Sequence, residues 1–145
     1  MSAVAELYER DFVAWAEKNA ELLRSGRLSE IDIENIAEEL DGLSRSDSNQ
    51  LYNRLVVLAH HLMKWQFQPE LRGKSWQSTI RDQRARIERQ LRSAPSLRPK
   101  ISGMLEDVFD SARTRALDET NLPDDMFPEG VIYTEEQLLS DWMPE

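Results

Sequence analysis

Apolar residues recur at spacings of three and four through most of this chain, and no segment alternates convincingly with period two. That pattern fits amphipathic helices and leaves no material for a half-buried sheet. Tyr8, Phe12, Trp15, Asn19 and Leu22 share one face of a first helix predicted over about 7–24, which Ser25-Gly26 stops. Ser29 or Asp32 can cap a second helix carrying Ile33, Ile36, Leu40 and Leu43, then Leu51, Leu55, Leu58, Leu62 and Trp65. Weak helix formers from Ser44 to Asn49 interrupt that stripe. The reading is one long helix, or two nearly collinear ones, over about 32–67, with a break at Ser46–Ser48 as the alternative.

Ser75 is expected to cap a third helix with Trp76, Ile80, Ile87 and Leu91 on one face, ended by Pro95. Ser96 is expected to cap a fourth, running to about Glu119 with the widest apolar face. Beyond it, Thr134-Glu135-Glu136-Gln137 reads as a capping box opening a short helix. The expected architecture is all-α. A single domain over 1–145 holds a helical bundle of about four main helices at about 7–119. A C-terminal wrap at about 120–145 contains the short helix.

Composition narrows the function classes. Without cysteine the 145-residue chain has no disulfide framework, thiol nucleophile or CxxC metal site, which fits a reducing, cytoplasmic setting. Its apolar runs are too short for a membrane span, and its acidic N-terminus does not read as a secretory signal. The formal net charge of -9 conceals an asymmetry. Residues 72–100 carry nine basic side chains and two acids, whereas the remainder carries nine and twenty-five. Such a basic stretch either lies against the acidic helices of its own fold or faces outward toward an anion; the surrounding acids disfavour nucleic acid.

The residues that break the helical pattern are the informative ones. Gln83 and Arg84 fall where the third helix's apolar stripe should continue. A buried arginine there needs a partner, expected among Asp11, Glu34, Glu38 and Glu39. His60 and His61 are adjacent, so they point about 100° apart and do not readily share one metal ion. No Glu-x-x-His pair of the di-iron type occurs; Glu34 and Glu38 with a histidine form the remaining metal-bundle alternative. Arg54 followed by His60 or His61 resembles the loose Arg-x4-6-His motif of the HEPN ribonucleases, in which the pair would activate an RNA 2′-hydroxyl. No phosphate-binding loop, nucleophile elbow or zinc-protease motif is present, and no catalytic residue, metal ligand or cofactor is assigned.

A longer set of motifs is more specific. It includes Leu7-Tyr8-Glu9-Arg10-Asp11-Phe12, Arg54-Leu55-Val56-Val57-Leu58 and His61-Leu62-Met63-Lys64-Trp65-Gln66-Phe67-Gln68-Pro69-Glu70. Ser75-Trp76, Gln83-Arg84, Leu122-Pro123, Phe127-Pro128 and Gln137-Leu138-Leu139 continue it. In these, the chain resembles the bacterial family catalogued as domain of unknown function twenty-nine, over about residues 7–143. The resemblance implies an all-α fold and supplies no activity. It singles out His61, Lys64, Trp65, Gln68, Trp76, Gln83 and Arg84. These would form a candidate polar cluster near the turn between the second and third helices. Cationic and amide groups beside two tryptophans suit an acidic peptide or anionic ligand, and equally a hydrogen-bonded bundle end. The favoured function is a non-enzymatic, intracellular protein-interaction or regulatory module with an unidentified protein partner or self-association. The ribonuclease and the metal-binding bundle stand as alternatives.

Overall fold

A proline, a glycine or a capping side chain stands at nearly every helix boundary of the computed structural model, which describes residues 3–145. The described residues contain α-helices and 3-10 turns and no strand. They cluster into two compact units, Met1–Asp47 and Ser48–Glu145.

In the first unit the predicted leading helix is two helices, α1 (Ala3–Arg10) and α2 (Phe12–Arg24). Asp11 separates them. Its backbone is extended, and its carboxylate accepts from the Ala14 amide at 3.1 Å, so it satisfies a donor that the start of α2 leaves open. Gly26 ends α2 in the left-handed region at φ 74. The Gly26 amide donates to Leu23 and the Arg27 amide to Leu22, the two bonds of a Schellman cap.

Trp15 and Leu22 are the buried apolar side chains here, and a polar network ties them down. The Trp15 indole donates to Asp32 at 2.9 Å. Asn19 donates to the Trp15 carbonyl and accepts from the Asp32 amide. Asp32 also accepts from the side chain and amide of Asn35, so it caps the next helix, α3 (Ile33–Phe67). Burial pushes the Asp32 carboxyl up, but the bonds from Asn35 and Trp15 outweigh it and hold the group below the ordinary carboxylate value. Tyr8 stacks edge-on against Trp15 and donates its hydroxyl to Glu39.

α3 runs unbroken through Ser44–Asn49, the long-helix reading rather than the break. From Leu51 onward it belongs to the apolar core, with Leu51, Leu55, Leu58 and Leu62 fully buried. A 3-10 turn at Pro69–Leu71 leads into α4 (Lys74–Ser93). Gly73, not Ser75, occupies the cap position of α4, and no side chain bonds there. A 3-10 segment over Pro95–Lys100 holds Ser96, so the fourth helix of the sequence reading begins only at Ile101, as α5 (Ile101–Thr120). Pro99 explains the delay, since it removes a backbone donor and restricts the residue before it. Asn121 then ends α5 in the left-handed conformation at φ 54.

Polar contacts fix the helix directions in this unit. Arg54 reaches Gln90, and Lys64 lies over Trp76, so α4 runs back along α3. Tyr52 reaches Ser111, and Lys64 reaches Glu119, so α5 runs parallel to α3. The C-terminal stretch returns over this bundle. Its Phe127, Tyr133 and Leu138 are core residues, and Thr134 and Gln137 form the full capping box of α6 (Glu135–Leu139).

Candidate functional site

The seven residues of the predicted polar cluster fall into separate settings. Lys64 is buried, with 8% of its surface exposed, and its Nζ donates to Glu119 Oε2 at 3.0 Å. The same ammonium lies 5.0 Å from the centre of the Trp76 ring. His61 stands next to this pair and bonds the Val57 carbonyl through Nδ1 at 2.8 Å. Trp65 instead packs beneath Arg72, whose Nε donates to the Trp65 carbonyl at 2.7 Å. Gln68 is buried at the α3 end. Gln83 keeps its Oε1 buried without a hydrogen-bond partner.

Arg84 belongs to the C-terminal stretch. It donates to the carbonyls of Leu138 and Gln137 at 2.9 Å each and of Trp142 at 2.7 Å. Its expected carboxylate pairing is therefore corrected: its oxygen acceptors are backbone carbonyls in the last turn of α6 and beyond it, with Met143 Sδ at 4.0 Å. Those carbonyls have no helical partner of their own, and a guanidinium fork can serve several at once. Burial lowers the Arg84 pKa, and Asp141 opposes that. Arg113 acts similarly, donating to the carbonyls of Phe127 and Asp124. A groove of ≈ 460 Å³ beside Arg84, between α4 and the C-terminal stretch, has an apolar floor from Ile80, Leu139 and Met143. Arg81 and Arg84 there face Glu88 and Asp141, so no net charge selects a ligand.

The pattern along the sequence missed Glu119 and underrated His60. His60 is 4% exposed, and its Nε2 lies 3.2 Å from Glu119 Oε2 without the alignment of a hydrogen bond. Burial pushes the His60 pKa down to about 4; Glu119 opposes this, while Lys64 and His61 reinforce it. Burial lowers His61 as well. For Glu119, burial pushes upward, but the Lys64 bond and the nearby His60 outweigh it and leave the pKa lowered. At neutral pH the arrangement is a Lys–Glu pair beside two neutral imidazoles.

This arrangement predicts a pH slope. An unfolded histidine takes up its proton near pH 6.5, whereas native His60 refuses it until about pH 4. Between those values the unfolded chain holds more protons, so stability falls as the pH falls. His61 acts in the same direction, and Glu119 continues the loss once it protonates. Urea titrations from pH 7 to pH 4 should show a decline on the order of 2 kcal/mol, with a shallower slope in His60→Gln. An unchanged slope in that variant would remove His60 from the account.

The enzyme-like alternatives find little geometry. Arg54 bonds Gln90 at 2.8 Å on α4, whereas His60 faces Glu119 on α5. Among the described residues, no three His, Asp or Glu side chains gather as a metal site. None of their helices is long and apolar enough to cross a membrane.

The other candidate is an apolar surface, and it lies in the first unit. Ile33, Leu40 and Leu43 on α3 are 67%, 61% and 67% exposed. Phe12, Val13, Leu23 and Leu28 are also exposed large apolar side chains of this unit. The sequence marks the α3 stripe by its spacing, but spacing says only that the residues share a face. Asp32 and Glu39, on one flank of this stripe, bond Trp15 and Tyr8, so the internal packing of this unit reaches that edge of it.

The family model described as Domain of unknown function DUF29 matches residues 7–143. The chain belongs to that family. No curated protein and no solved structure matches it. DUF29 membership agrees with the motifs from Leu7 to Met143 and brings no chemistry with it, so function has to be argued from these two surfaces.

Proposed function

We propose that this DUF29 protein is a non-enzymatic, cytoplasmic interaction module that binds a protein partner through the apolar face of its first unit. The observation that carries this reading is the exposed Ile33, Leu40 and Leu43 stripe. Soluble proteins seldom leave a continuous apolar stripe in water without a use for it, because covering it is favourable by roughly 25 cal/mol per Å². The polar cluster of the second unit supports the same reading from the other side. Lys64, Glu119 and Arg84 are engaged in pairing and in holding the C-terminal stretch, which are structural tasks.

The test is recovery of tagged protein from its native cells, comparing wild type with Leu40→Asp/Leu43→Asp. Both residues are exposed, so the variant should keep its helicity and melting temperature. At least one protein should be recovered with wild type and lost with the variant. Identical recoveries from the two would overturn the reading.

A further inference from the structure

We infer that α3 carries a built-in opening segment over residues 42–49, which melts and re-forms as helix while the packed stretches before and after it keep their folds. Six of these eight residues are Gly, Ser, Asp or Asn. Glycine loses more backbone freedom than any other residue on entering a helix, and short polar side chains compete for the backbone's own hydrogen bonds. Packing does not make up the difference. From Leu40 to Gln50, about three turns of helix, no residue is buried. Immediately after, Leu51, Leu55, Val56, Leu58, Ala59 and Leu62 are all buried. Before it, Asp32 and Glu39 tie α3 to Trp15 and Tyr8. The weak helix formers therefore stand in a stretch that burial does not hold.

The geometry does not call for a glycine there. Gly42 lies inside α3 without a left-handed backbone, and a Cβ added to it would meet the Arg45 side chain at 3.7 Å, an ordinary contact. Alanine would fit and would favour the helix more. The Glu38–Arg45 pair that reaches into the segment is 3.3 Å long with both side chains 62% exposed, so it adds little. The boundary between the two compact units, at Asp47 and Ser48, falls inside the segment. A helix of three turns is marginal in water by itself, so closure depends on the flanks that nucleate it. Leu43 lies in the segment and Leu40 at its edge, so the two share a face with Ile33 only while the helix is closed. On the interaction reading, a partner seated on that face would hold the segment closed, and the open fraction would lower its apparent affinity. The opening itself does not depend on that reading.

Amide hydrogen exchange on the full-length protein, with no partner added, is the test. Peptides spanning 40–50 should exchange at least about tenfold faster than peptides spanning 51–62. Gly42→Ala/Ser44→Ala/Ser46→Ala should slow exchange over 40–50 by at least about tenfold. Ser46→Pro removes a donor and clashes with the preceding turn, so it holds the segment open. That variant should keep a cooperative melt and the protection over 51–62. Equal exchange of the two regions in wild type would overturn the inference, since α3 would then open as one piece. Unchanged exchange over 40–50 in the alanine variant, or lost protection over 51–62 in Ser46→Pro, would overturn it as well. All three results are read without a partner, so they leave the interaction reading to the cell-recovery comparison.

Discussion

Arg84→Met is expected to lower the unfolding free energy by about 3 kcal/mol, because three charge-assisted bonds to backbone carbonyls are lost together. Methionine fills similar space, so the effect reports the missing fork rather than a cavity. The carbonyls of Gln137, Leu138 and Trp142 would have to find water, and the C-terminal stretch would open before the bundle does. Limited proteolysis should therefore cut the variant after about residue 120 faster than wild type, while residues 48–120 persist. Arg84→Lys should recover little, since an ammonium cannot span three carbonyls from one position. Denaturant unfolding measures the first effect and a proteolysis time course the second. A loss below 1 kcal/mol would mean that the packing of Phe127, Tyr133 and Leu138 holds the stretch without the arginine.

Glu119→Ala is expected to cost about 2 kcal/mol, because it strands the buried Lys64 ammonium with only the Trp76 face for company. The reverse change, Lys64→Met, should cost less. Glu119 has a side chain about half exposed and can return to water, whereas Lys64 cannot. The two changes combined should cost less than their sum, since the stranded charge is gone. Equal penalties for the two single changes would show that Lys64 also reaches solvent when Glu119 is removed. Chemical denaturation of the three variants at pH 7 supplies the cycle.

The legible and illegible parts of this chain divide by the range of the interaction. Helix positions follow from local spacing, and the capping box at Thr134 and the left-handed Gly26 follow from the residues present. Asp11 carried a local signal as well, a good capping residue followed by Phe12 and Val13, but the continuous stripe from Tyr8 to Leu22 masked it. Partners across distance left no such trace. Glu119 stands 55 residues from Lys64, in a helix with several other carboxylates of equal claim. Arg84 was visible as a break in an apolar stripe, yet its partners are backbone oxygens, which no residue type announces. That is why a carboxylate seemed required.

The stripe on α3 shows the same limit in another form. Ile33, Ile36, Leu40 and Leu43 recur by threes and fours as Leu51, Leu55, Leu58 and Leu62 do, yet Ile33, Leu40 and Leu43 are exposed where the second set is fully buried. Periodicity assigns residues to a face, and the rest of the chain decides whether anything covers it. The residues that carry the proposed function therefore read as ordinary core, while the conspicuous Lys64 and Arg84 bond within the fold.

The most direct measurement places a photoreactive benzophenone side chain at position 40 and, separately, at exposed position 89 on α4, and irradiates cells making each protein. The account predicts a discrete covalent adduct with another protein from position 40 and none from position 89. No adduct from position 40, or the same adducts from both positions, would contradict it.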